Sequence, residues 1–158
     1  MNMLQSQVII VTGGSQGIGR SIALACARER ASVVVAAQSQ AKLNAVVEEI
    51  LGRGGEALAH PADVTDEAQV ASLVERTLAR YGRVDGLVNS AGIAPLAPVT
   101  ETSLSTWERT MAVNVTGTFL CCRAVWTPMA ERGSGCILNI SSGSGKRAHA
   151  DWVAYCAS

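Results

Sequence analysis

The feature that most constrains this chain is a short apolar run that leads straight into glycines. Val8-Ile9-Ile10-Val11 is followed by Thr12-Gly13-Gly14-Ser15-Gln16-Gly17-Ile18-Gly19, and an amphipathic stretch begins at once. A continuous apolar run of this length suits a strand covered on both faces. Gly13 lets the chain turn sharply off the strand, Gly17 lets backbone approach a bound pyrophosphate, and Gly19 lets the next helix sit close to the sheet. The free N–H groups and positive end of that helix would then face phosphate. A tight turn needs glycine in any case. The placement between a first strand and a first helix is what points to dinucleotide binding.

The same alternation continues down the chain. Apolar, β-branched runs at 33–36, 57–60, 84–88 and 136–140 predict four more strands, and the amphipathic patterns predict helices over 17–30, 40–51, 66–81 and about 103–131. Gly52, Gly54, Gly55, Gly82, Gly133 and Gly135 punctuate the helix ends, and Thr65 is a plausible N-cap ahead of the acids Asp66 and Glu67. Strand–helix–strand repetition with short connections implies a parallel sheet in an α/β layer sandwich. No repeat or linker divides it, so 1–158 is expected to be a single dinucleotide-binding domain.

Composition excludes several classes. Hydrophobic residues make up 48% of the 158, which rules out intrinsic disorder and allows a substantial core. Lys and Arg number 13, as do Asp and Glu, so no basic excess exists for nucleic acid. Cys26, Cys121, Cys122, Cys136 and Cys156 form no CxxC pair, and two histidines show no ligand spacing. Neither a disulfide framework nor a metal site is expected. No apolar run approaches the roughly 20 residues of a membrane span, and residues 1–7 are too short and polar for a targeting segment. A reduced, cytoplasmic, soluble protein is the expectation.

The glycine spacing, GxxxGxG, resembles the TGxxxGxG motif of the short-chain dehydrogenase/reductase family, and further matches follow in order. Asp63-Val64 is similar to the family's adenine-contacting Asp-Val. Asn89-Ser90-Ala91-Gly92 resembles its NNAG motif, with Ser90 in place of the second Asn. Asn114 matches the asparagine of its catalytic tetrad, Ile140-Ser141-Ser142 its serine segment, and Tyr155 lies 13 residues beyond Ser142, at the family's spacing. The pattern looks most like the 3-oxoacyl-carrier-protein reductase and sugar or polyol dehydrogenase branch.

This resemblance implies a Rossmann-type doubly wound sheet of order 3-2-1-4-5 and an NAD(P)-dependent oxidoreductase acting on a small alcohol/carbonyl pair. It assigns catalysis to Asn114, Ser142 and Tyr155. Cofactor binding falls to Gly13, Ser15, Gln16, Gly17, Ile18, Gly19, Gln38, Asp63, Val64, Asn89, Ala91, Gly92 and Tyr155. Tyr155 would be the general acid in reduction and base in oxidation. A free phenol ionises near pH ~10, so a nearby cation must favour the phenolate. Ser142 would donate to the substrate oxygen and Asn114 would hold a water in the proton relay. His149, Lys146 and Arg147 read as solvated loop residues, while Cys121-Cys122 reads as core.

In the family a lysine follows the tyrosine by four residues. The sequence here reads Tyr155-Cys156-Ala157-Ser158, one residue short of it, so the expectation is a truncated chain that lacks the last strands and is catalytically crippled. A non-catalytic dinucleotide-binding or interaction module is the alternative, and an epimerase or dehydratase on the same scaffold a more distant one. The segment 103–131 carries Trp107, Phe119, Leu120 and Trp126, more apolar area than one sheet face covers. Together with the family's habit this implies a homodimer or homotetramer at full length, and aggregation of the piece through an exposed fifth strand.

Cofactor choice turns on the end of the second strand, where a carboxylate would bind the ribose 2′-hydroxyl of NAD. Ala37 occupies that position. No cation stands at the usual neighbouring places either, since these carry Gln38 and Gln16. The missing carboxylate favours NADP over NAD, with Gln16, Gln38 and Ser39 able to hydrogen-bond a phosphate.

Overall fold

The computed structural model describes residues 2–158. Five parallel strands, β1 (Val8–Thr12), β2 (Ser32–Ala37), β3 (Glu56–Pro61), β4 (Gly86–Asn89) and β5 (Cys136–Asn139), lie in the order β3-β2-β1-β4-β5. The expected doubly wound sheet is therefore present. Its centre is β1, with Thr12 beside Ala36 on one flank and beside Asn89 on the other. All five β1 residues are buried, because helices cover both faces.

Alternate side chains of the strands feed two cores. Ile10, Val34 and Leu87 pack with Val70, Leu73 and Val74 on one face, while Ile9, Val11, Val33 and Val35 pack with Ala23, Leu43, Val46 and Ile50 on the other. Full burial of each such aliphatic side chain contributes roughly 1.5–3 kcal/mol. The edge strands are less covered, and β5 exposes Cys136, Leu138 and Asn139.

Helices α1 (Gly17–Arg28) and α2 (Gln40–Gly52) supply the second of these cores and α3 (Glu67–Tyr81) the first. Most boundaries fall within one residue of the sequence expectation, and three differences stand out. Helix α1 ends at Arg28, because Arg30 turns left-handed at φ 70° and Ala31 N–H donates back to the Cys26 carbonyl. The N-cap of α3 is Asp66, not Thr65: the Asp66 carboxylate accepts from Ala68 N and Gln69 N, while Thr65 donates its N–H and hydroxyl to Asp63. Strand β4 begins at Gly86 rather than at 84, and Val84 before it is buried with Ile10, Val34 and Leu87.

The expected long helix 103–131 is three pieces. Ser103 caps α4 (Leu104–Met111) by accepting from Thr106 N, a π-helical turn occupies Ala112–Thr116, and α5 (Gly117–Glu131) completes it. Leu120 is core, whereas Phe119 and Trp126 are 56% and 67% exposed. A last short helix, α6 (Val153–Ala157), packs against α4 and against the 3-10 turn Gly143–Gly145. Among the described residues no helix is long and apolar enough to cross a membrane.

Asp85 fastens the end of the sheet opposite the glycine turn. Its side chain, only 10% exposed, accepts from Val8 N at 2.9 Å, from Arg83 Nε at 2.8 Å and from Arg132 at 2.8 Å. Burial pushes its carboxyl up, but the hydrogen bonds from Arg83, Val8 and Arg132 outweigh this and hold it below the ordinary carboxylate range. Such a latch is fully present above the unfolded value near ~4 and is lost as pH falls through the folded one. Asp85→Asn should therefore lose about 2–3 kcal/mol at neutral pH, and the gap to the parent should narrow in acid. Urea unfolding at both pH values checks this.

Candidate active site

The order β3-β2-β1-β4-β5 places the topological switch between β1 and β4, where the following loops diverge and leave a crevice at the carboxyl ends of the strands. The two loops are tied at their root by Thr12, whose hydroxyl accepts from Ser90 N at 3.3 Å and Ala91 N at 3.4 Å and reaches the Val88 carbonyl at 3.5 Å. Gly13 sits at φ 64°, and a Cβ there would lie 2.6 Å from the Ser90 carbonyl oxygen and 2.7 Å from Ala91 Cα. A Cβ on Gly19 would strike the Gly13 backbone, with its carbonyl carbon at 2.8 Å. Gly17 is different. At φ 57° its Cβ would meet nothing within 4 Å, so the turn is closed against protein at Gly13 and Gly19 and open at Gly17.

Around the end of β2 two polar pairs flank the crevice. Gln16 on the turn accepts from Lys42 Nζ at 2.8 Å, and Gln38 donates to Asp63 Oδ2 at 2.7 Å. Asp63 also accepts from Thr65 N and Oγ1 at 2.9 and 2.7 Å, and from Arg109 at 3.4 Å. Burial raises its carboxyl, but the bonds from Thr65 and the Arg109 guanidinium outweigh that and keep it below the usual range. Ile18 and Ser15 border the open side of the turn, and Ile18 is exposed. Val64 turns inward, touching the position where a Gly117 Cβ would be, so only its backbone is offered to the crevice.

Past β4 the candidate residues separate into two groups. Asn89 points into the protein and donates to Asn139 Oδ1 at 2.9 Å and to Cys122 Sγ at 3.3 Å, leaving its own buried Oδ1 without a partner among the described residues. Its side chain joins β4 to β5 rather than facing the crevice. Cys121, beside it, is core, and burial, aided by Cys122, pushes its thiol up to about 12. Gly92 instead leads toward Asn114: a Cβ on it would stand 3.5 Å from Asn114 Oδ1.

Asn114 lies on the π-helical turn, and its amide is fully engaged. Oδ1 accepts from Ile93 N at 2.9 Å, while Nδ2 donates to the Ile93 carbonyl at 2.9 Å and to Ser158 Oγ at 2.8 Å. Ser158 in turn donates to the Tyr155 carbonyl at 3.0 Å. Trp152 holds the Tyr155 ring edge-on with centroids 5.5 Å apart. Ala97 N–H bonds the Asp151 carbonyl at 2.8 Å, fastening the β4–α4 loop to the approach of α6. Ser142 Oγ accepts from Ser144 N at 3.2 Å, which leaves its own proton free to donate. Asn114 and the Tyr155 helix are thus joined. Among the described residues no hydrogen bond links Ser142 to either.

Beside α6 an open cleft of about 580 Å³ is lined by Pro98, Val99, His149, Asp151, Val153 and Cys156. His149 stacks at a tilt on Trp152, with centroids 5.8 Å apart, and is an exposed loop residue on this wall. Three site residues were not anticipated from the sequence: Lys42, Arg109 and Ser158. Lys42 alone left a trace there. It stands three residues after the cap Ser39, in the first turn of α2, where side chains lean toward the helix N-terminus.

The family model described as short chain dehydrogenase matches residues 7–158. D-threitol dehydrogenase of Mycolicibacterium smegmatis is 41% identical over 155 residues, which is 98% of this chain and 60% of that protein. A 3-oxoacyl-[acyl-carrier-protein] reductase of Synechocystis is 43% identical over 146 residues, covering 92% and 59%. The crystal structure of levodione reductase superposes with a TM-score of 0.93 at 32% identity, covering 98% of this chain and 61% of that one. The chain spans about 60% of the length of these curated relatives.

The turn geometry separates its glycines by cost. Gly13→Ala must displace backbone at 90–91 and should lose more than about 2 kcal/mol. Gly17→Ala bears only the left-handed conformation and should lose about 1–2 kcal/mol. Thermal unfolding of the two variants measures the difference.

Proposed function

The chain belongs to the short-chain dehydrogenase family, and from that premise we propose that it serves an NAD(P)-dependent oxidoreductase interconverting a small alcohol and carbonyl. The observation that carries the reading is the chain of contacts from Asn114 through Ser158 to Tyr155, beside a glycine turn open only at Gly17. The open turn fits a pyrophosphate, since backbone N–H groups and a helix N-terminus can approach it without a side chain between.

The bound nicotinamide supplies or accepts the hydride. Tyr155 gives its phenolic proton to the oxygen of the substrate in reduction and takes it back in oxidation. Ser142, whose Oγ already accepts from Ser144 N, spends its own hydrogen on that same oxygen and stabilises negative charge there. Asn114 acts as a positioning residue. Both its amide hydrogens are committed, so it fixes the backbone at Ile93 and the end of α6 rather than offering its Nδ2 to a water.

The wall of the cleft beside α6 is mostly small and apolar, with His149 and Asp151 as its charged or polar members, and none of Asn114, Ser142 and Tyr155 lines it. The missing carboxylate at Ala37 favours NADP. Phe119, Trp126 and the half-exposed Trp107 on α4 and α5 favour association with further copies of the chain at full length.

In the protein as its gene encodes it, Tyr155→Phe should lower kcat by about 10²-fold or more. Ser142→Ala should lower kcat by a similar factor. Stopped-flow and steady-state assays over a panel of ketones and alcohols decide it. No turnover by the parent with either nicotinamide would refute the enzyme reading.

A further inference from the structure

Helices α1 and α2 end far from the crevice, around a small cleft that no step of the chemistry uses. Helix α1 carries the chain about 18 Å away from the glycine turn. Where it and α2 end, a cleft of about 170 Å³ is lined by Leu24, Ala27, Ile50 and Gly55 and by the arginines Arg28, Arg30 and Arg53. Ala27 and Ile50 are buried, so the apolar part of the lining belongs to the core. Gly55 keeps the space open: a Cβ there would stand 2.8 Å from Ile50 Cγ2 and 3.5 Å from Ala27 Cβ. The left-handed turn beside it is made by Gly54 at φ 74°, so Gly55 answers a need for room and not for conformation.

Three guanidiniums and no carboxylate line this cleft. Arg53 shares Glu49 with Arg20. Arg28 and Arg30 are exposed, and among the described residues neither has an ion pair. The other acids beside them in the chain are engaged: Glu29 accepts from Met3 N at 3.0 Å, and Glu56 accepts from Ser32 Oγ and from Arg80, both at 2.8 Å. A basic residue at the end of a helix offsets the macrodipole, which accounts for Arg28 in the last turn of α1 and for Arg53 at the C-cap of α2. Arg30 is different. It lies beyond the end of α1 with its backbone left-handed at φ 70°. Glycine holds that conformation without strain and arginine does not, so what residue 30 adds is its side chain.

We propose that this cleft is a second anion site, separate from the crevice, in which Arg28 and Arg30 hold the phosphate of a small phosphomonoester. The guanidinium fork matches phosphate oxygens two at a time. A phosphomonoester carries about −1.5 to −2 charge at neutral pH, which answers both arginines that lack a carboxylate. Leu24, Ala27 and Ile50 then face the few carbons of the ester. Size excludes a larger ligand: about 170 Å³ is well below the ~300 Å³ at which pockets begin to enclose drug-sized molecules, and a dinucleotide is larger still. The site owes nothing to the dinucleotide reading, since it is built on the opposite ends of α1 and α2. Its charges are exposed, so its affinity falls as salt rises.

The test is equilibrium binding, which needs no turnover. Propyl phosphate, inorganic phosphate and acetate are titrated calorimetrically, at equal ionic strength, into the protein as its gene encodes it and into Arg28→Gln and Arg30→Gly. The parent should bind propyl phosphate with a Kd on the order of 1 mM, tighter than inorganic phosphate and at least ~10-fold tighter than acetate. Each substitution should weaken propyl phosphate by about tenfold. Glycine at 30 removes the left-handed strain, so the thermal midpoint of Arg30→Gly without ligand should not fall, and its loss of binding is not a loss of fold. Binding that survives both substitutions would place the phosphate elsewhere, at the glycine turn for one, and would overturn the assignment. So would acetate binding as tightly as propyl phosphate, or no binding of propyl phosphate by the parent.

Discussion

Contact between the backbone after β1 and the backbone after β4 is the constraint from which the rest of the site follows. Gly13 has no room for a side chain because Ser90 and Ala91 lie where it would be, and the Thr12 hydroxyl holds those two residues by their N–H groups. The two loops therefore part from a common, rigid root. One carries the turn that is open at Gly17, and the other carries Gly92 and Ile93 to Asn114. A buried Thr at the end of a strand is thus a structural requirement as much as a motif letter.

Much of the fold was legible in the residues, and the parts that were not had local causes. Strands β1 and β2 announce themselves because burial on both faces makes them uniformly apolar. Strand β4 reads two residues early because Val84 is as apolar as a strand residue, yet it precedes an aspartate whose carboxylate takes the Val8 amide. The 103–131 segment reads as one helix because hydrophobic period cannot register a single wide turn.

At the site, legibility depended on sequence distance. The glycine turn belongs to a local pattern, so its position could be read, whereas Asn114 was singled out by the family resemblance alone. The bonds Lys42–Gln16, Gln38–Asp63 and Asn114–Ser158 join residues 25 or more apart in sequence, and no periodicity or composition predicts such meetings. Asn89 shows the opposite problem. It sits in a recognisable motif, yet its side chain bonds Cys122 and Asn139 across to α5 and β5. Residue type alone does not say which way an amide points.

The wide turn at Ala112–Thr116 has a geometric consequence for the helices on either side. An i→i+5 turn carries one residue more than an α-turn, and one residue corresponds to about 100° of rotation around an α-helix. Helices α4 and α5 thus present different faces to their neighbours: α4 meets α6, and α5 meets α3 and the sheet. The phase slip occurs at the residue that bonds Ile93 and Ser158. Asn114 is where a single rod is re-indexed so that one half serves the hydrophobic interior and the other half serves the crevice.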